Sequence, residues 1–292
     1  MAMTRCDDDN NGLPDLAYSW SRPTIGRIRV NDTIQGAVVD KYVAVFGGGM
    51  DAAHKGEPNV AGNFLFMVDM ETGRAIYKRA VVGSVPADPA VVDTDQDGYI
   101  DTIYFGTTAG LVYKTRVNSI EDLVDLGANG GLKITSPDWE PFPVLTSDGR
   151  PFYFEPTVVF VNELGQYAIA VGTGDREDLW ARPDEEGRFY MFVDRDFIST
   201  DSFLPLTETD LQDITVFSAN TTSDYLRIAP YGWYLRLAPG ERLISEAFAL
   251  AGVTIFSTFE PIESVNDDGT ICQQHGNSNV YVVTSTSANA LL

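Results

Sequence analysis

The segment DTDQDGYID, Asp93 to Asp101, places four carboxylates, Asp93, Asp95, Asp97 and Asp101, at positions 1, 3, 5 and 9 of a nine-residue loop. Gly98 at position 6 permits a sharp turn, and Tyr99 at position 7 offers its backbone carbonyl. Calcium takes about six to eight hard oxygen ligands, and this spacing folds the carboxylates inward around one centre. Without a cation the same groups repel one another at short range. An EF-hand needs Glu at position 12 and flanking helices, but that position is Tyr104 and the flanks PAVV and YIDTIYF have strand character. The expectation is a calcium loop between two β-strands, against the plainer reading of an Asp-rich turn satisfied by its own amides and water.

DDDNNGLPD repeats the spacing nearer the start, with Asp7, Asp9, Asn11 and Asp15 at the four positions, Gly12 at the turn and Leu13 offering its carbonyl. It is a second calcium loop in expectation, with a solvated acidic turn as its alternative. NDDGT from Asn266 lacks the ninth-position carboxylate and reads as a hairpin turn. Catalytic signals are thin. The histidines are His54 and His275, and Cys272 with His275 makes a C-x-x-H that has no second half for zinc. There is no G-x-S-x-G elbow, phosphate-binding loop or dinucleotide fingerprint. The expectation is a chain that is not an enzyme.

The elements that must position these loops are strands. Short runs rich in Val, Ile, Tyr and Phe recur between Gly, Pro, Asn and Asp clusters: YVAVFGGG from Tyr42, NFLFMVDM from Asn63, TIYFGTTAG from Thr102, YAIAVGTG from Tyr167 and VTIFSTF from Val253. Several end in a glycine-rich step, an imperfect repeat that suggests blades. FMVDMETGRAIYK from Phe66 reads as a hairpin in which Asp69 and Thr72 bond turn amides and Gly73 supplies a positive φ. The predicted fold is all-β, a single β-propeller domain over 1–292 with long inserted loops. Its blade-like units cover about 24–83, 84–140, 150–200 and 231–292, and 1–22 and 201–230 are connecting or partial units. Four units leave two alternatives open, degenerate blades in the connections or strands upstream of Met1. LPLTETDLQDITVFSAN, within 201–229, is the one stretch with helical character.

Lys and Arg number 20 against 42 Asp and Glu, for a net charge of −22 and a pI near 4.2. Such a surface repels a phosphate backbone, which argues against nucleic acid as a partner. Two calcium ions would offset a small part of that charge, so most of the acidity serves solubility or surface repulsion. No apolar run approaches the roughly 18 residues of a membrane helix, and the start MAMTRCDDDN lacks the apolar core of a signal peptide. The expectation is a chain that neither spans a membrane nor carries its own export signal, and whose abrupt start reads as that of a piece of a longer protein. Cys6 and Cys272 lie near opposite ends, so they are either two thiols or a disulfide that needs the ends to meet.

The order of landmarks resembles the C-terminal propeller domain of the PilY family, type IV pilus tip-associated adhesins and biogenesis factors. The carrying residues are YSWSRPTI from Tyr18, KYVAVFGGG from Lys41, FMVDMETG from Phe66 and above all PADPAVVDTDQDGYIDTIYFGTTAGLVYK from Pro86. YAIAVGTG from Tyr167, YGWYLRLAPGERLISEAFALAGVTIFSTF from Tyr231 and the Cys272 loop leading to NVYVV continue it over nearly the whole chain. The resemblance implies a quinoprotein-like β-propeller at the pilus tip or cell surface, extracellular, with calcium held by Asp93, Asp95, Asp97, Asp101 and the Tyr99 carbonyl. It implies a role in pilus extension, retraction, twitching and surface attachment, with minor pilins or other pilus subunits as partners and a host or abiotic surface as target. Two other readings are a calcium-stabilised recognition propeller of integrin-like type and a quinone-dependent dehydrogenase. The second needs recurring Asp-x-x-Thr-Gly hairpins, and here that hairpin is clear once.

Overall fold

Alternation builds the first strands: in TIGRIRVND, Ile28 and Val30 point into the core while Arg29 between them faces water, the period of two that a half-buried strand requires. The computed structural model describes residues 12–54, 57, 59–127, 131–162, 164–180, 184–194, 204–215, 231–265 and 271–288, with the backbone alone at 54, 263–265 and 271–274. Strands dominate these residues, and the helical elements among them are three short 3₁₀ turns. The chain divides into two compact units, Met1–Val144 and Leu145–Leu292.

In the first unit, β1 (Thr24–Asp32), β2 (Ala37–Gly47), β3 (Phe64–Asp69) and β4 (Arg74–Ala80) form an antiparallel meander. The β3–β4 turn closes as its sequence requires. Asp69 Oδ1 accepts the Glu71 amide, Thr72 Oγ1 the Arg74 amide, and Gly73 sits at φ +67°. β5 (Ala90–Val92), β6 (Thr102–Gly106) and β7 (Leu111–Arg116) make a second sheet with β10 (Phe142–Thr146), in the order β10-β7-β6-β5.

β8 (Glu121–Asp125) and β9 (Leu132–Ile134), from the stretch expected to form the second blade, instead join the first sheet, in the order β4-β3-β2-β1-β8-β9. β8 pairs parallel to β1 from Val30↔Glu121 to Asp32↔Leu123, secured by Asn31 Nδ2 donating to Asp122 Oδ1 at 2.7 Å. Lys133 Nζ and Arg79 Nη2 donate to the carbonyls of Ala75 and Ile134, so the outer strands β4 and β9 are bonded and the sheet nearly closes on itself. Tyr77, Phe105 and Trp139, each fully buried, belong to one hydrophobic core built from both sheets. Burial of a large apolar side chain contributes about 1.5–3 kcal/mol.

In the second unit, β11 (Thr157–Val161), β12 (Gln166–Gly172), β13 (Glu186–Val193), β14 (Gln212–Asp213) and β15 (Gly232–Pro239) form a sheet in the order β11-β12-β13-β15-β14. β16 (Arg242–Leu243), β17 (Phe248–Leu250), β18 (Val253–Val265) and β19 (Ile271–Thr284) form another, dominated by the long β18–β19 hairpin. Phe189 stacks on Phe256 at 3.7 Å between centroids, and Phe256 on Tyr281 at 4.7 Å. Of the stretch read as helical, the described part holds a 3₁₀ turn at Glu208–Asp210, whose Asp210 carboxylate bonds the Thr207 amide. The NDDGT turn and Cys6 lie outside the described residues, as does the Cys272 side chain, and with them the disulfide question.

Candidate metal centre

The Asp93–Asp101 loop joins β5 to β6, so its flanks are strands as the sequence predicts. It closes where the Asp101 amide donates to the Val92 carbonyl at 3.0 Å and the Val117 amide to the Asp101 carbonyl at 2.7 Å. Turning within this span requires left-handed backbone at Gln96, φ +65°, and Gly98, φ +89°. Glycine adopts that conformation without the side-chain clash that other residues meet.

Asp93, Asp95 and Asp101 each bring a carboxylate oxygen within 4.8 Å of the others. Part of their capacity is used locally. Asp93 accepts the amides of Asp97 and Gly98, Asp95 Oδ1 that of Asp97, and Asp101 Oδ2 the amide and hydroxyl of Thr94, both at 2.6 Å. Asp95 Oδ2 and Asp101 Oδ1 take no hydrogen bond among the described residues, nor does the Tyr99 carbonyl. Asp101 is 9% exposed, whereas Asp95 faces solvent. Asp97 stands apart from the cluster, with Oδ1 accepting the Tyr99 amide at 2.9 Å.

The amide of Asp97 works to lower the pKa of Asp95, but desolvation and the charges of Asp101, Asp97 and Asp93 outweigh it and hold that pKa above its ordinary value. Crowded carboxylates with uncommitted oxygens are the donor set that a hard divalent cation fits. The loop walls a cleft of about 350 Å³ whose lining includes Arg29 and the Val117–Ile120 segment.

Tyr99 carries a feature that spacing alone does not disclose. The guanidinium groups of Arg27 and Arg29 both lie over its ring, 4.0 and 4.1 Å from the centroid. Its hydroxyl donates to Asp40 Oδ2 at 2.9 Å and accepts from Arg29 Nη2. That hydrogen bond from Tyr99, followed by Arg29 and Arg27, holds the Asp40 carboxyl below its usual range despite desolvation. The outward arginines of GRIRV in an acidic chain were the available signal, but their target lies about 70 residues away.

Of the second loop, Asp7, Asp9 and Asn11 lie outside the described residues. Asp15 is buried, 2% exposed, and its carboxylate is engaged by Lys78, whose ammonium also lies 4.3 Å above the Phe64 ring.

No family model matches the chain. A type IV pilus biogenesis factor PilY1 homolog from Xylella fastidiosa strain Temecula1 is 23% identical over an alignment of 311 residues covering 95% of this chain. The chain spans 19% of that relative's length. Among solved structures, the Pseudomonas aeruginosa PilY1 C-terminal domain superposes with a TM-score of 0.61 at 19% identity, covering 94% of this chain and 60% of that one. BamB from Moraxella catarrhalis aligns at 11% identity with a TM-score of 0.35, too low to inform the fold. In sequence similarity and in fold the chain resembles the C-terminal domain of the PilY family, as its motifs imply, and the fold class is the all-β, propeller-like one expected from its strands.

Proposed function

We propose that this PilY-like chain is a calcium-binding, non-enzymatic domain of a type IV pilus factor, extracellular at the pilus tip or cell surface, that supports pilus biogenesis and surface adhesion. The carrying observation is the convergence of Asp93, Asp95 and Asp101 within 4.8 Å in a loop strung between two strands. Calcium would be held there by those carboxylates with the Tyr99 carbonyl, and by Asp97 after its carboxylate turns inward. The ion would supply positive charge that cancels their repulsion and ties the flanks of β5 and β6 together. The names of the similar proteins support the pilus part of this reading. Minor pilins or other pilus subunits are the proposed partners, and a host or abiotic surface the adhesion target. Among the described residues no helix is long and apolar enough to cross a membrane.

A second calcium is proposed at Asp7, Asp9, Asn11, the Leu13 carbonyl and Asp15, where the Lys78 ammonium competes for the Asp15 carboxylate. The test is titration calorimetry with calcium on the wild-type chain and on Asp101→Asn. The expected result is wild-type binding and a loss of more than about 100-fold at the main site, beyond the roughly 10–100-fold that removing a ligand's supporting partner costs. A second site predicts a weaker event that survives Asp101→Asn. In cells, the same substitution in the full-length protein should reduce piliation and attachment; normal levels of both would separate calcium binding from pilus function.

A further inference from the structure

We propose that Arg27, Arg29 and Asp40, by clamping the Tyr99 side chain, position the Tyr99 carbonyl as a calcium ligand and so set the affinity of the loop; this rests on the calcium reading above. Position 7 contributes backbone and not side chain to the ion, so its geometry depends on what fixes the peptide. On one side stands Gly98, in a backbone conformation that no side chain of its own restrains. On the other, the Ile100 amide donates to the Arg27 carbonyl at 2.8 Å. Between these points the ring of Tyr99 is covered by two guanidiniums, and its hydroxyl both donates to Asp40 and accepts from Arg29. Asp40 completes the clamp, 3.2 Å from Arg29 Nε and 3.8 Å from Arg27 Nη1. All three clamp residues lie on one face of the β1–β2 ladder, in the register Arg27↔Tyr42 and Arg29↔Asp40.

The sign of the charges separates positioning from simple electrostatics. Two arginines beside a cation site repel the cation, so charge alone predicts that removing one tightens calcium binding. Positioning predicts the reverse, because a carbonyl released from its orientation must be ordered again when the ion arrives. The coupling is reciprocal: an ion that prefers the clamped loop must also stabilise the clamp.

The experiment is calcium titration calorimetry on the full chain, with metal-free melting and amide exchange at Ile100 measured on the same samples. Tyr99→Leu keeps the carbonyl and the net charge; it is expected to bind calcium about 3- to 10-fold more weakly, the scale of removing one exposed cation–π pair or one hydrogen bond. Its metal-free melting temperature should stay within about 2 °C of wild type. Tyr99→Phe, which keeps the ring but not the hydroxyl, should fall between the two, and is the variant to read if Tyr99→Leu fails to fold. Arg29→Gln should weaken binding despite removing a positive charge. Calcium should slow exchange of the Ile100 amide in wild type and do so less in Tyr99→Leu. Wild-type affinity in the Tyr99 variants, or tighter binding in Arg29→Gln, overturns the clamp while leaving the calcium loop intact. Failure of the wild-type chain to bind calcium overturns both.

Discussion

Asp101 and Asp15 occupy the same place in two loops of matching spacing, and both are buried, but their charges are compensated differently. Asp101 is held through one oxygen by neutral donors of its own loop, the Thr94 amide and hydroxyl, and keeps the other uncommitted. Asp15 meets the ammonium of Lys78, a residue of β4 that lies 63 positions along the chain. A carboxylate compensated by local dipoles retains capacity for a cation, whereas one compensated by a lysine already has a cation as part of the fold. Equal spacing therefore does not make the two loops equal.

The largest expected effect tests the Lys78 side of this contrast. Lys78→Met leaves the Asp15 charge buried without its ammonium, which should cost about 3–5 kcal/mol in urea unfolding of the metal-free chain. Asp101→Asn is the counterpart: loss of calcium binding by more than about 100-fold, with metal-free stability held or raised because one member of a repelling cluster becomes neutral. If Asp101→Asn instead unfolds the metal-free chain as Lys78→Met does, the two aspartates are alike in role and the contrast is broken.

Calcium at about 100 times its Kd should stabilise the wild-type chain by roughly 2.7 kcal/mol, read as a rise of about 5–10 °C in the melting temperature of the first unit and abolished by chelator. A smaller effect is expected with pH. The Asp95 pKa is raised in the fold, so this group favours folding below its unfolded pKa, and that contribution is lost as pH rises through the folded value. Metal-free stability should therefore gain from Asp95 on acidification into the carboxylate range, while calcium affinity falls over the same interval because protons compete for the ligand. Asp95→Asn should flatten both trends, and Asp15→Asn should leave the affinity trend of the main site unchanged.

Much of the carboxylate cluster was legible because its members are neighbours in sequence. Spacing brought Asp93, Asp95 and Asp101 together, and the left-handed Gly98 stands where the turn was expected. The same holds for the Asp69–Gly73 turn, whose bonds lie within a few residues. Asp97 differs: spacing placed it with the other three carboxylates, while its own bonds the Tyr99 amide, a choice of partner within hydrogen-bond reach that a pattern of letters does not rank. For the Tyr99 clamp and the parallel β1–β8 pair nothing local in the sequence names the partners, since each joins residues about 60 to 90 positions apart.

By itself, the sequence determined the strands, the turns between them and the donor types in each acidic loop, because alternation, glycine placement and carboxylate spacing act over a few residues of connected chain. Tertiary structure alone decided which strand edges meet, that Arg27, Arg29 and Asp40 close on Tyr99, and that Lys78 reaches Asp15. Those outcomes depend on sheet order and register, which are set when the whole core packs.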